Sequence, residues 1–261
     1  MASESSVLRV QGVSLSFGDL AVLTEVDVNV DTRLTGIIGP NGAGKTTLFN
    51  VITGVLSPGV GRVEVLGTDV RGFSPNRIAA LGVRRTFQTP KLVPRLTVFE
   101  NVLLGLDGGA RGASLLGEAF WWPSVARRER AKRKRARDLL AIMGLGLLER
   151  VRGENLPLPT QKLVEVARAL ISRPRLLLLD EPAAGMGGRD VQDLLGPVGR
   201  AVEEWDCHVV IIEHDMELVT ELCEQVFVLD FGRMIARGPA AEVLASTAVM
   251  EAYLGAANVE G

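Results

Sequence analysis

Gly39-Pro40-Asn41-Gly42-Ala43-Gly44-Lys45-Thr46 is the stretch whose reading decides the fold. It fits G-x-x-x-x-G-K-[ST] in full. The apolar run Leu34–Ile38, expected as a strand, precedes it, and Thr46–Leu56, expected as a helix, follows it. Glycines let a backbone turn its N–H groups inward and approach phosphate oxygens closely. A lysine adds a point charge for the β- and γ-phosphates, and the threonine hydroxyl can ligand Mg²⁺. The N-terminus of the following helix contributes partial positive charge. Gly39, Pro40, Asn41, Gly42, Ala43, Gly44, Lys45, Thr46 and Thr47 therefore form the candidate cradle for a nucleoside triphosphate, expected to be ATP with Mg²⁺. An ordinary glycine turn is the bland alternative, and it leaves the flanking strand and helix unexplained.

Working outward, Leu176-Leu177-Leu178-Leu179-Asp180-Glu181-Pro182 is four apolar residues ending in two acids. That pattern describes a buried strand with Asp180 at its C-terminal edge, where ligands bind in parallel sheets. Asp180 is the expected second Mg²⁺ residue, and Glu181 the expected group that polarises the attacking water. Taken alone, a strand followed by a solvated acidic turn would explain these residues equally well. Val209–Ile212 is a further apolar run, separated from the first by a helical stretch, Asp190–Trp205. Strands alternating with helices predict a parallel, helix-covered α/β sheet. Val7–Phe17 and Val26–Val30 instead alternate apolar with polar, as half-buried antiparallel strands do, and Gly61–Leu66 reads as another strand. Residues 90–155 are mostly helical in pattern, which predicts a helical insertion. Residues 238–261 read as a tail of one or two short helices, the first starting near Pro239.

Composition excludes several classes of function. The chain has 261 residues, 47% hydrophobic and 23% charged, with a net charge of −2. A dedicated nucleic-acid binder carries a basic surplus, so no nucleic-acid partner is expected. Cys207 and Cys223 with His208 and His214 make neither a metal-site spacing nor a disulfide framework, which fits a reduced, cytosolic setting. The polar start, Met1–Ser6, lacks the features of a signal peptide, and no apolar run approaches the roughly 20 residues that span a bilayer. Arg127–Arg137 is dense in Arg and Lys, and the Leu139-Leu140 and Ile142-Met143 pairs follow it. This is read as a solvated helix face leading into a packed one, with a nucleic-acid or anionic-lipid surface as the alternative. Trp121-Trp122 are read as packing residues of the helical insertion, with part of an apolar docking groove as the alternative.

In their order along the chain, these motifs resemble the ATP-binding subunits of ABC transporters, from about Leu8 to Gly255. The resemblance implies a P-loop NTPase (RecA-like) core with an antiparallel β subdomain and an inserted α-helical subdomain. The chain would be a single ATP-binding domain, with core and β subdomain at about 1–89 and 156–237. Phe87-Gln88 resembles the Q-loop, whose glutamine reaches Mg²⁺ and the attacking water. Ile211-Ile212-Glu213-His214-Asp215 resembles the switch region, whose histidine contacts the γ-phosphate. Phe17 falls where the family stacks an aromatic on adenine, with a core phenylalanine as the alternative. Glu181-Pro182-Ala183-Ala184-Gly185, Val228–Arg233 and Ala252-Tyr253-Leu254-Gly255 are similar to branched-chain amino acid importers within that family.

The sequence departs from the family at the signature loop, usually Leu-Ser-Gly-Gly-Gln, which here reads Leu156-Pro157-Leu158-Pro159-Thr160 before a helix at Leu163–Leu170. Pro157 replaces a serine hydroxyl, and Pro159 replaces a glycine whose N–H would reach the partner's γ-phosphate, since proline has no N–H. Gly187 stands where many members carry an aspartate. The resemblance implies transmembrane permease subunits as partners, a second and different ATP-binding subunit, and indirectly a solute-binding protein. It places the chain peripherally at the cytoplasmic face of the membrane. The alternatives are a weakly active regulatory subunit, a soluble ABC ATPase outside transport, and a P-loop kinase. The last leaves Gln88, Glu181 and His214 unexplained.

Overall fold

Alternation of apolar and polar residues builds two long antiparallel strands, β1 (Leu8–Phe17) and β2 (Leu20–Val30), in the computed structural model, which describes residues 6–109, 122–247, 249 and 252–253. Leu8, Val10, Val13 and Leu15 of β1 point inward with Val26, Val28 and Val30 of β2. β2 begins earlier than the expected Val26 because Glu25, at φ 51°, interrupts the alternation without ending the strand. β4 (Val60–Val65) pairs with β1, and the short β5 (Thr68–Asp69) completes a four-stranded antiparallel sheet in the order β2-β1-β4-β5.

The second sheet has six strands in the order β10-β9-β3-β8-β7-β6. They are β3 (Leu34–Ile38), β6 (Val83–Arg85), β7 (Leu176–Asp180), β8 (His208–Ile212), β9 (Gln225–Asp230) and β10 (Arg233–Pro239). β9, β3, β8, β7 and β6 run parallel, and β10 closes one edge antiparallel to β9. Every residue of β7 is buried, as a parallel strand covered on both faces requires. Each buried leucine there contributes about 1.5–3 kcal/mol of hydrophobic free energy. Helix α1 (Lys45–Ile52) buries Leu48, Phe49, Val51 and Ile52 in the same core. It stops short of the expected Leu56 because Gly54, at φ 71°, turns the chain out of the helix. α2 (Pro75–Ala80), with Pro75 in its first turn, leads into β6.

These elements form one compact unit, Met1–Arg85, Arg175–Ala184 and His208–Gly261. It also holds α7 (Met216–Leu222), capped by the Asp215 carboxylate on the Glu217 and Leu218 N–H groups, and α8 (Ala240–Leu244), which starts after Pro239 as expected. A second, helical unit comprises Thr86–Pro174 and Gly185–Cys207. It contains α3 (Val98–Leu103), α4 (Trp122–Ile142), α5 (Leu158–Leu170) and α6 (Gly188–Trp205). It therefore extends beyond the expected 90–155 insertion. α5 and α6 group with α3 because α5 packs against both, and Val98 and Val102 of α3 and Leu194 and Val198 of α6 are buried.

α4 carries the basic run. Arg127, Arg128, Arg130, Arg133, Lys134 and Arg137 are exposed, whereas Ala136, Leu139, Leu140 and Met143 are buried. Arg133 pairs with Glu129 at 3.2 Å and Lys134 with Asp138 at 2.6 Å, one helical turn apart in each case. Trp121 and Leu254-Gly255 lie outside the described residues. Among the described residues, no helix is long and apolar enough to cross a membrane.

The helical unit's first turn is fixed by Thr97 and Glu100, each accepting the other's backbone N–H in a capping box. Beside it Asn101 is fully buried. Its amide donates to the carbonyls of Val93, Leu96 and Thr97 at 3.0–3.1 Å, and its oxygen accepts the Val93 N–H at 2.8 Å. Asn101→Ala would strand several buried backbone groups at once. It is expected to lower unfolding stability by at least about 2 kcal/mol, read as a lower urea midpoint at unchanged slope.

Candidate functional site

Three adjacent parallel strands, β3, β8 and β7, end on the same edge of the second sheet. β3 opens into Gly39–Gly44, β8 into Glu213-His214-Asp215, and β7 ends in Asp180 before Glu181. The edge therefore gathers Lys45, Thr46, Asp180, Glu181 and His214, which the sequence places far apart.

The loop after β3 has no room for side chains where glycines stand. A Cβ on Gly39, at φ 148°, would lie 2.0 Å from the Leu229 carbonyl oxygen. Gly42 and Gly44 sit at φ 78° and 101°, a left-handed backbone that L-residues rarely adopt. Lys45 folds back over the loop it follows, its Nζ donating to the carbonyls of Gly39 at 2.6 Å and Pro40 at 2.8 Å. Only 6% of the residue is exposed. Burial lowers the Lys45 ammonium below the usual lysine range, and the charges of Glu181 and Asp180 push the other way. The cradle thus holds a buried cation with two acidic groups close enough to act on it.

Asp180 is not isolated. Arg85, at the end of β6, donates from Nη2 to Asp180 Oδ2 at 2.6 Å and from Nη1 to Asn50 Oδ1 at 2.7 Å. Its guanidinium lies over the Phe49 ring at 5.4 Å. Glu213 is fully buried behind the edge, accepting the N–H groups of Ala183 at 2.8 Å and His214 at 3.3 Å. Burial pushes its carboxyl up, against those two N–H donors. It ties the turn after β7 to the turn after β8, which also meet where the Glu181 N–H donates to the Ile212 carbonyl at 3.0 Å. Glu181 itself takes a left-handed φ of 45°. His214 is largely exposed, with Nδ1 3.8 Å from Glu213. Neither Arg85 nor Glu213 was expected as a site residue. Their partners are remote in sequence, and only the oddity of an arginine closing a three-residue strand marks Arg85.

The remaining expected residues lie on other elements. Phe17 ends β1 in the antiparallel sheet and is 53% exposed, so the core alternative for it is excluded. Gln88 belongs to the helical unit, the third residue after Arg85 at the end of β6. In the helical unit, α5 begins at Leu158, earlier than the expected Leu163. Pro157 is its N-cap residue, Pro159 lies in its first turn, and no side chain caps it. Gly187 likewise precedes α6 without a capping side chain.

The residues present fit a nucleotide with a hard cation. The oxygen donors are a threonine hydroxyl and a carboxylate, which suits a cation that keeps water and phosphate oxygens as its other ligands. No group of three or more His, Cys, Asp or Glu that would hold a metal without phosphate exists among the described residues.

A glycine-rich loop joining a central parallel strand to a helix, with an acid at the end of a second strand, defines a P-loop nucleotide-binding protein. Comparison with known proteins is more specific. Residues 24–184 match the ABC transporter family, and residues 233–258 match the family described as branched-chain amino acid ATP-binding cassette transporter. The high-affinity branched-chain amino acid transport ATP-binding protein BraF of Pseudomonas aeruginosa is 34% identical over 252 residues, covering 96% of this chain and 98% of that one. The probable branched-chain amino acid transport ATP-binding protein LivG of Methanocaldococcus jannaschii is 34% identical over 260 residues, covering 98% and 100%. A crystal structure described as the ADP conformation of MJ1267, an ATP-binding cassette of an ABC transporter, superposes with a TM-score of 0.82 at 32% identity, covering 96% and 99%. The chain belongs to the ABC transporter family, as one of its ATP-binding subunits.

Two outcomes follow from this geometry. A bound polyphosphate favours charged Lys45, so nucleotide binding in alkaline buffer should take up a proton. Uptake should begin below the ordinary lysine value of 10.5, and affinity should fall as pH rises through that range. Calorimetric titration in buffers of different ionisation heat measures this, and Lys45→Met should abolish the uptake. Arg85→Met leaves the Asp180 carboxylate buried without its guanidinium and is expected to cost about 3–5 kcal/mol of unfolding free energy in a chemical denaturation experiment.

Proposed function

We propose that this subunit hydrolyses ATP to drive an importer of branched-chain amino acids or related small polar solutes, docked peripherally on permease subunits at the cytoplasmic face of the membrane. The observation that carries the reading is the convergence of the loop after β3, Asp180-Glu181 and His214 on one sheet edge. The names of the relatives and the match of residues 233–258 support the cargo class.

In this reading, backbone N–H groups of Gly39–Thr47 and the Lys45 ammonium bind the phosphates, and Phe17 stacks on adenine. Lys45 exchanges its two loop carbonyls for phosphate oxygens, so it is already aimed at the cradle before nucleotide arrives. Thr46, Asp180 and Gln88 would hold Mg²⁺, which when bound neutralises phosphate charge. Glu181 takes the proton of the attacking water, and His214 steadies the γ-phosphate. The turn that Glu213 braces fixes the spacing between these two.

The second ATP-binding subunit is proposed to be a different chain. Pro159, in the first turn of α5, has no N–H to offer a partner's γ-phosphate, and Pro157 has no hydroxyl. Losing one donor at a reacting phosphate costs on the order of 10²–10³ in rate. A pair of identical copies would face two such deficits, whereas a mixed pair faces one.

Glu181→Gln is expected to lower kcat by about 10²–10⁴-fold while leaving ATP affinity nearly unchanged, the outcome for an enzyme rather than a passive binder. The chain alone should turn over slowly, speed up with its partner subunit, and gain rate on its own with Pro159→Gly. Brisk turnover alone, indifferent to Pro159→Gly, would refute the mixed pairing.

A further inference from the structure

Glu165 is a carboxylate on a helix, 3% exposed, in a position the function above does not use. Its two oxygens reach both ends of one short loop. Oε2 accepts the Phe87 N–H at 3.3 Å, and Oε1 accepts the Lys91 N–H at 2.9 Å. Gln88-Thr89-Pro90 lie between those two residues. Arg168, one turn further along α5, donates from Nη2 to Glu165 Oε1 at 3.1 Å and from Nη1 to the Lys91 carbonyl at 2.6 Å. Lys91 is therefore held through both its N–H and its C=O, and all of these groups belong to the helical unit.

Burial pushes the Glu165 carboxyl up, and the N–H groups of Lys91 and Phe87 with the Arg168 charge act to keep it ionised. Hydrogen bonds from N–H groups to an ionised acceptor in a low-dielectric setting are stronger than neutral ones. α5 is also fixed against its neighbours. A Cβ on Gly105 would lie 1.9 Å from the Arg168 carbonyl oxygen, so this helix has no slack at that turn.

We propose that Glu165 is a positioning residue. With Arg168 it pins the loop carrying Gln88 to α5, the helix whose first turn is Pro157–Thr160, so that the glutamine loop and the signature turn move as one body. The inference rests on the reading of Gln88 given above. It adds a mechanical link by which nucleotide sensed through Gln88 in this chain shifts the turn offered to the partner's nucleotide. The two composite sites of a pair are then coupled through one buried carboxylate.

The experiment uses the subunit assembled with its permease and partner subunits, in the wild type, Glu165→Gln, Gln88→Ala and the double variant. Glu165→Gln keeps the volume but offers one acceptor oxygen where two are needed. Amide exchange at Phe87 and Lys91 should quicken by about tenfold, with the rest of α5 and the melting temperature little changed. The kcat should fall by about tenfold with KM for ATP within about twofold, and the double variant should be no slower than Gln88→Ala alone. Arg168→Lys, a second variant that keeps charge but loses the two-pronged donor, should change the same quantities in the same direction by less. Unchanged exchange at the two amides, or rate losses that multiply in the double variant, would overturn the proposal. Absence of ATP turnover in the wild-type assembly would instead remove the functional reading, and the exchange measurement would still decide whether the clamp exists.

Discussion

The nucleotide loop depends on a close approach between two backbones. Gly39 meets the Leu229 carbonyl so tightly that no side chain fits, which is possible because β3 lies between β8 and β9 in the middle of a buried parallel ladder. A strand in that position has no freedom to shift register. Its partners fix where the chain leaves the sheet, and the glycines fix how it turns. Lys45 then has one place to go, back across the mouth of the loop, because α1 begins at that residue and its inner face is committed to Leu48, Phe49 and Ile52. The buried cation, the two acids that bear on it and the arginine that holds one of them all follow from that anchoring.

The same economy governs the two turns beside it. Glu213 costs desolvation free energy and is ionisable in a place where water does not reach. What it supplies is a fixed bond between the segments after β7 and β8, so Glu181 and His214 are presented by turns that brace each other. Glu165 has the same character in the helical unit. In both cases a carboxylate is buried where it can organise loop backbone by accepting N–H groups, and in both the loop carries a residue assigned to the chemistry.

What was legible in the sequence was what is written locally. The strand, glycine loop and helix around Gly39–Thr46 declare themselves by composition and order, as does the leucine run ending in Asp180, because each follows from a contiguous pattern. β6 and β10 gave no such signal. β6 is three residues long with two arginines, and β10 alternates on an exposed edge. Strands of that kind are created by the neighbour they pair with. The arginine on Asp180, the carboxylate under Ala183 and the clamp on Phe87 and Lys91 were illegible for a related reason. Their partners lie 30 to 95 positions away, and a lone charged residue in a helix or strand looks like surface until the fold buries it. Phe17 shows the reverse case, an aromatic at a strand end whose exposure only the structure reveals.

The order of strands in the second sheet also governs how the protein comes into being. Leu34 finds its register partner in Val209, and Thr35 in Gln225, separations of roughly 175 and 190 positions. During synthesis β3 and α1 emerge early, but the strands that flank β3 emerge only near the end of the chain. Until then the loop has no Leu229 to close against, and the apolar face of α1 has only part of its core. The loop around Gly39 is therefore among the last features to form, and until it does Leu48, Phe49 and Ile52 pack only against the strands already made.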